Sequence, residues 1–340
     1  MATRVHLAFT LLILPWLAAA APPDELSEEA TNGAQLFFNG TIVTMEGNAP
    51  EVVESVVARD GRVVYVGPLT TARSRYGQGA NSVDLRGRTM LPGFIEPHAH
   101  PVSIGATILA NEIVAPHEWR MPHQTYAGVS GQKDYLEAVA RIMASKGDAA
   151  NTVLIWGYHK AWHGELTLAD LDRVTGAVPT IIWQRSTHEV YLNTAAARKY
   201  GVEKGVLQET EQVDWNNLHF WERAYQELKG SRLSGFFADP AMLQRGMSRM
   251  TQMMTNNGLV AMAEPSFPNA SFDIEYALLK AETDSAKAYS IYLIPGFPEQ
   301  FTMGMDSAAY RKRVESFPNF NTEHITFLPG QYKTFADGAI

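Results

Sequence analysis

The chain has 340 residues, a formal net charge of −8, 46% hydrophobic residues and no cysteine. Without cysteine there is no disulfide, thiolate ligand or cysteine nucleophile, so any metal must be held by histidine, carboxylate or a modified lysine. An acidic chain without clustered Lys and Arg is not a nucleic-acid binder, and its hydrophobic content suits a globular protein with a large core.

The first twenty residues read as a signal peptide. Arg4 supplies a positive start, Leu7 to Leu17 is apolar, and Ala18-Ala19-Ala20 fits the small-residue cleavage rule. The apolar run falls short of the roughly 20 residues that span a bilayer, so no stable membrane anchor is expected and the mature chain is exported, to the periplasm or outside the cell. Residues 21–35 form a linker. Residues 36–90 alternate apolar and polar positions, with Asn39-Gly40 and Asp60-Gly61 as hairpin turns, and predict a small N-terminal β-sandwich portion.

From residue 91 the pattern changes to strands separated by helices, which predicts parallel β/α units. Buried strands are expected at Phe94–Pro97, Val153–Gly157, Thr180–Trp183, Leu259–Ala263, Tyr289–Ile294 and Tyr332–Phe335. Helices are expected over Lys133–Lys146, after the capping box Thr167-Leu168-Ala169-Asp170, and over Pro240–Thr255. The methionines Met242, Met247, Met250, Met253 and Met254 in the last helix read as core rather than as a soft-metal site. His159 and His163 fall between Gly157 and Gly164 and read as a loop that at best lines a cleft.

The sharpest signal is Leu91-Pro92-Gly93-Phe94-Ile95-Glu96-Pro97-His98-Ala99-His100. In an extended chain, residues two apart point to the same side. Both imidazoles can then face one point, and neutral imidazole is a common zinc ligand. A bare H-x-H is more often coincidence near a turn, and the apolar run before it tips the balance. Lys333 lies within an apolar strand, where burial favours the neutral amine. Taken alone, it reads as a strand-end lysine reaching solvent.

The H-x-H segment resembles the end of the first barrel strand in the amidohydrolase superfamily of metal-dependent hydrolases, with Glu96 where the family usually has Asp. Phe38–Met45 and Val56–Gly67 resemble that family's N-terminal β-sandwich. Ile182–Ala197 and Tyr332–Gly338 resemble the amidohydrolase family 3 branch, which contains N-substituted formamide deformylase. The resemblance implies a TIM-like (β/α) barrel over 91–340 with a subdomain inserted at about 105–235. Barrel strands one to four would lie near residues 95, 261, 292 and 333. About four of eight strands would be present, so the sequence reads as truncated or a fragment.

The resemblance further implies a divalent metal, zinc first, held by His98, His100 and Lys333 as a carboxylated lysine. His188, in the position of a family Gly-His, would face substrate. Glu264, after the second barrel strand, would do so too, or would hold a ligand histidine from behind. The implied reaction is hydrolysis of a non-peptide carbon–nitrogen bond in a small amide, formamide or cyclic amide. Selectivity would come from the insertion around Trp156, Trp162, Trp183 and His188. No residue of this chain is assigned as the catalytic acid or base, because that Asp belongs to a later strand, and little activity is expected of this chain alone. The alternative readings are a catalytically inactive remnant and an exported binding protein without metal.

Overall fold

The computed structural model describes residues 33–146, 151–209, 211–269, 271–285, 289–296 and 304–334. The expected signal peptide and most of the linker lie outside these residues, as do Phe335 to Gly338. Two compact units are present, residues 1–92 and 93–340.

In the first unit, Gln35–Val43 pairs antiparallel with Val52–Arg59, which pairs antiparallel with Arg62–Gly67. Asn81–Asp84 and Thr89–Met90 pair parallel with Gln35–Val43, completing a five-stranded sheet. The helix Leu69–Tyr76 covers it through Ala72 and Tyr76, against Leu36 and Val57. Where the sequence predicts a sandwich, the described residues thus form one sheet and one helix. Asp60-Gly61 makes the expected turn. Asn39-Gly40 does not: it lies inside the first strand, where the pairing register shifts between Phe38 and Ile42. A Cβ on Gly40 would sit 2.3 Å from the Arg88 carbonyl oxygen, so glycine is needed for that approach. An N-G dipeptide serves a bulge as well as a turn, because both need the left-handed backbone.

The second unit holds two larger sheets. One is parallel throughout, in the order Ile325–Phe327, Ser290–Pro295, Leu259–Phe267, Phe94–Glu96. Helices Pro240–Asn256, Phe272–Asp284 and Ser307–Ser316 connect its strands in β/α order. Met242, Met247, Met250 and Met254 are buried in the core beside this sheet, with Met262, Phe272, Leu279 and Leu293. Each such side chain contributes about 1.5–3 kcal/mol on burial. No closed barrel forms among the described residues.

The other sheet has six strands, with Val153–Tyr158 and Thr180–Gln184 parallel at its centre and every residue of both buried. Asn193 at its edge caps the helix Thr194–Tyr200. It accepts from the amides of Ala196 and Thr180 and donates to Thr175 and Val178.

Three strand expectations are corrected. Phe94 and Ile95 are 54% and 68% exposed rather than buried, because their strand is an edge paired on one side alone. Tyr332 is also exposed, and Lys333 forms a single parallel bridge with Gly296 instead of a buried strand. The fourth strand of the sheet is Ile325–Phe327, three residues that fall below the length at which alternation is readable.

Candidate metal centre

His98 and His100 follow directly from the edge strand Phe94–Glu96. The Ala99 amide donates to the Ala263 carbonyl at 3.0 Å, so pairing with the neighbouring strand continues past Pro97 and fixes both histidines at the strand end. Their ring centroids lie 5.5 Å apart with the rings at 88°. His98 is exposed and His100 partly buried. The Glu96 carboxylate accepts from the His98 amide at 3.0 Å and braces the turn.

Behind His100 the chain enters a π-helical turn, Pro101–Gly105, closed by the Gly105 amide donating to the His100 carbonyl at 2.7 Å. The helix Pro240–Asn256 presses on the segment after it. A Cβ on Gly246 would lie 1.8 Å from the Ala106 carbonyl oxygen. Glycine there allows a backbone contact that sets the depth of the H-x-H segment.

Glu264 sits on the adjacent strand and is fully buried. Its Oε1 lies 2.6 Å from His100 Nδ1, and its Oε2 is 3.5 Å from the Val102 amide. Burial pushes the Glu264 carboxyl well above its ordinary range, and the charge of Glu275 pushes the same way. Burial also lowers the His100 imidazole to about 4, helped by the ammonium groups of Lys333 and Lys229. Both shifts reflect the cost of charge in this buried contact. Being wholly buried, Glu264 stands behind His100 and does not reach a substrate. Of its two expected roles, the geometry matches the one that holds a ligand histidine.

Burial first, then the charges of Lys333 and His100, hold the His98 imidazole below its ordinary value. The Lys333 charge acts on both imidazoles. The Lys333 amide donates to Pro295 at 2.8 Å. His188 lies elsewhere, at the start of the strand Glu189–Leu192 in the six-stranded sheet. Its Nδ1 is 3.1 Å from Glu222 Oε2, and no contact joins it to His98 or His100 among the described residues.

His163 ends a short helix, Lys160–His163, and His159 caps its start, where the sequence predicts a loop. His163 is fully buried. Its Nδ1 accepts from the His159 amide at 2.9 Å and its Nε2 lies 3.0 Å from the Val129 carbonyl. Both ring nitrogens are used, so this histidine is a structural one.

The donor set fits a zinc-like ion. Two neutral imidazoles meet at one strand end, and His100 holds Nδ1 against a carboxylate and leaves Nε2 for a ligand bond. No group of three His, Cys, Asp or Glu side chains gathers around a metal position among the described residues.

Sequence reasoning missed Lys229. It ends the helix Glu222–Gly230, where a lysine beside glycine reads as an ordinary helix-terminal charge. Nothing in its local pattern shows that its charge reaches His100.

A profile of the amidohydrolase family matches residues 81–339. The exoenzymes regulatory protein AepA of Pectobacterium carotovorum is 33% identical over 166 residues, 47% of this chain and 33% of that protein. The imidazolonepropionase of Mesorhizobium japonicum is 32% identical over 103 residues, 29% of this chain and 24% of that enzyme. In fold, a metal-dependent hydrolase from Pyrococcus horikoshii superposes with a TM-score of 0.59 at 15% identity, over 86% of this chain and 53% of that one. One from Pyrococcus furiosus gives 0.57 at 16% identity, over 86% and 55%. The chain thus spans about half the length of these structures and less of the curated relatives. The family match takes in both strand-end histidines, the buried carboxylate and Lys333: this chain belongs to the amidohydrolase family.

Proposed function

We propose that the His98, His100 and Lys333 cluster is the metal-holding part of a hydrolase for non-peptide carbon–nitrogen bonds. The observation that carries the reading is the His100–Glu264 pair. A buried carboxylate fixes one imidazole nitrogen 2.6 Å away and leaves the other for a ligand bond. A divalent ion bound there would supply an activated water and polarise the carbonyl of an amide.

The chain's own residues do the rest. The Glu264 carboxylate accepts from His100 Nδ1 when Nε2 is committed to a ligand, and the backbone pairing of Ala99 keeps the ring from turning away. Lys333 would complete the donor set as a carbamate, formed by adding carbon dioxide to its amine with release of a proton to solvent. Its backbone bridges Gly296, at the end of the strand that lies two over from Phe94–Glu96. The substrate is a small molecule, as the family implies. We further propose that the chain is exported, on the strength of the N-terminal apolar segment. No helix among the described residues is long and apolar enough to cross a membrane.

The test is hydrolysis of N-formyl and N-acetyl amides by the chain supplied with zinc and bicarbonate. Turnover abolished by a chelator and by His100→Ala supports the reading. Turnover indifferent to both contradicts it. Absence of turnover in a chain that binds the metal matches the low activity expected of this chain alone and supports the metal site only.

A further inference from the structure

A narrow cleft opens beside the π-helical turn that follows His100. Ser103, Ile104, Thr107, Trp183, Lys229 and Phe237 line it. Two features are unusual. The Ser103 side chain is buried, and its hydroxyl has no hydrogen-bond partner. A buried hydroxyl left unpaired is destabilising by roughly 1–3 kcal/mol and calls for an explanation. The second feature is Lys229. Its ammonium lies 5.6 Å from the Phe237 ring centroid and has no carboxylate at ion-pair distance among the described residues. Burial lowers the Lys229 amine from its ordinary value; the carboxylate whose charge opposes this is Glu275, already engaged by the backbone amides of Asn269 and Ser271. The same ammonium acts electrostatically on His100.

A cation with no ion-pair partner among the described residues, a hydroxyl without a hydrogen-bond partner and an aromatic wall thus meet beside the turn that follows His100. We propose that Lys229 and the Ser103 hydroxyl form an oxyanion-recognition site, so that the amide cleaved at His98 and His100 belongs to a substrate carrying a carboxylate or a phosphonate-like group. This rests on the hydrolase reading above and adds the substrate's charge to it. The cleft is too tight for a water molecule with Lys229 lying on Phe237. The long, flexible stem therefore swings off the ring and meets the anion at the rim. The Ser103 hydroxyl donates to one anionic oxygen and the ammonium to another. Trp183 is not a donor here, because its Nε1 already donates to the Thr187 carbonyl at 3.2 Å.

The experiment is calorimetric titration of the full chain in chelator, so that no metal attracts the anion. The probes are N-acetylglycine, N-acetylaminomethylphosphonate and the neutral N-acetylglycinamide. At least one anion should bind about tenfold tighter than the neutral amide, the factor that one charge-assisted hydrogen bond supplies. The preferred anion identifies which oxyanion the site takes. Lys229→Met should remove that preference and leave neutral-amide binding unchanged. Lys229→Arg should retain most of it, and Ser103→Ala should lose part of it, so the proposal stays testable if Lys229→Met fails to fold. Equal binding of anion and amide, no binding of any probe, or an anion preference untouched by both Lys229→Met and Ser103→Ala would overturn it. Hydrolysis of N-acetylglycinamide by the zinc-supplied chain is followed in parallel. An anion preference that survives with no zinc bound by the zinc-supplied chain overturns the hydrolase reading alone, and metal-dependent hydrolysis without the preference overturns this proposal alone.

Discussion

Two closely spaced histidine pairs sit in the second unit and have opposite fates. His98 and His100 stand at the end of an edge strand, and His100 spends one ring nitrogen on a buried carboxylate. His159 caps a short helix that His163 ends, and His163 spends both nitrogens on backbone groups inside an aromatic core formed with Tyr135 and Tyr158. An imidazole can be a metal ligand only through a lone pair that nothing else holds. The first pair keeps such lone pairs and His163 does not. The lesson is that spacing selects candidates, while accounting for each ring nitrogen decides between them.

The comparison can be broken from the structural side first. His163→Ala should destabilise the fold by about 2–4 kcal/mol, as a buried large-to-small change that also strips two hydrogen-bonded partners. Urea denaturation measures it, and zinc affinity should stay unchanged. Glu264→Gln acts on the other pair. It keeps the shape but weakens the acceptor behind His100, and zinc affinity measured by competition with a chelating dye should fall about 10–100-fold.

A pH series sharpens the contrast further. Burial lowers His163 to about 4. Between the unfolded value near 6.5 and about 4, the unfolded chain takes up a proton that the native state refuses. Stability is therefore fully present above about pH 6.5 and falls as the pH drops toward 4. His163→Phe should flatten that slope in urea midpoints compared at about pH 7.5 and about pH 5. His98→Ala gives the smallest effect. The residue is exposed, so stability should change by no more than about 0.5 kcal/mol while zinc affinity drops.

Much of the parallel β/α order was legible in the sequence, and the reason is length. Val153–Tyr158 and Thr180–Gln184 are runs of fully buried residues, and Pro240–Asn256 is a long amphipathic helix with Asp239 as its cap. Such elements announce themselves by periodicity. The misreadings cluster where local pattern underdetermines geometry. Asn39-Gly40 serves a bulge as readily as a hairpin, and Phe94-Ile95 looks buried because apolar residues at a sheet edge carry no mark of the missing neighbour. Ile325–Phe327 is too short to show a period.

At the site, strand-end spacing and resemblance both single out the H-x-H pair, while Lys333 is singled out by resemblance alone. The Glu264 contact bridges 164 positions in sequence. Sequence supplied a residue of the right type at a strand end, and only the parallel register, Met262 opposite Glu96, brings it behind His100. Lys229 had no such signal. Its place beside His100 depends on how the inserted helices pack, which no local pattern encodes.

The central claim is that His98 and His100 hold a divalent metal. X-ray absorption at the zinc edge on the zinc-supplied chain tests it directly. Two imidazole nitrogens at about 2.0–2.1 Å are predicted, with one lost in His98→Ala and the bound zinc lost in the His98→Ala/His100→Ala double variant. An unchanged first coordination shell in that double variant would contradict the account.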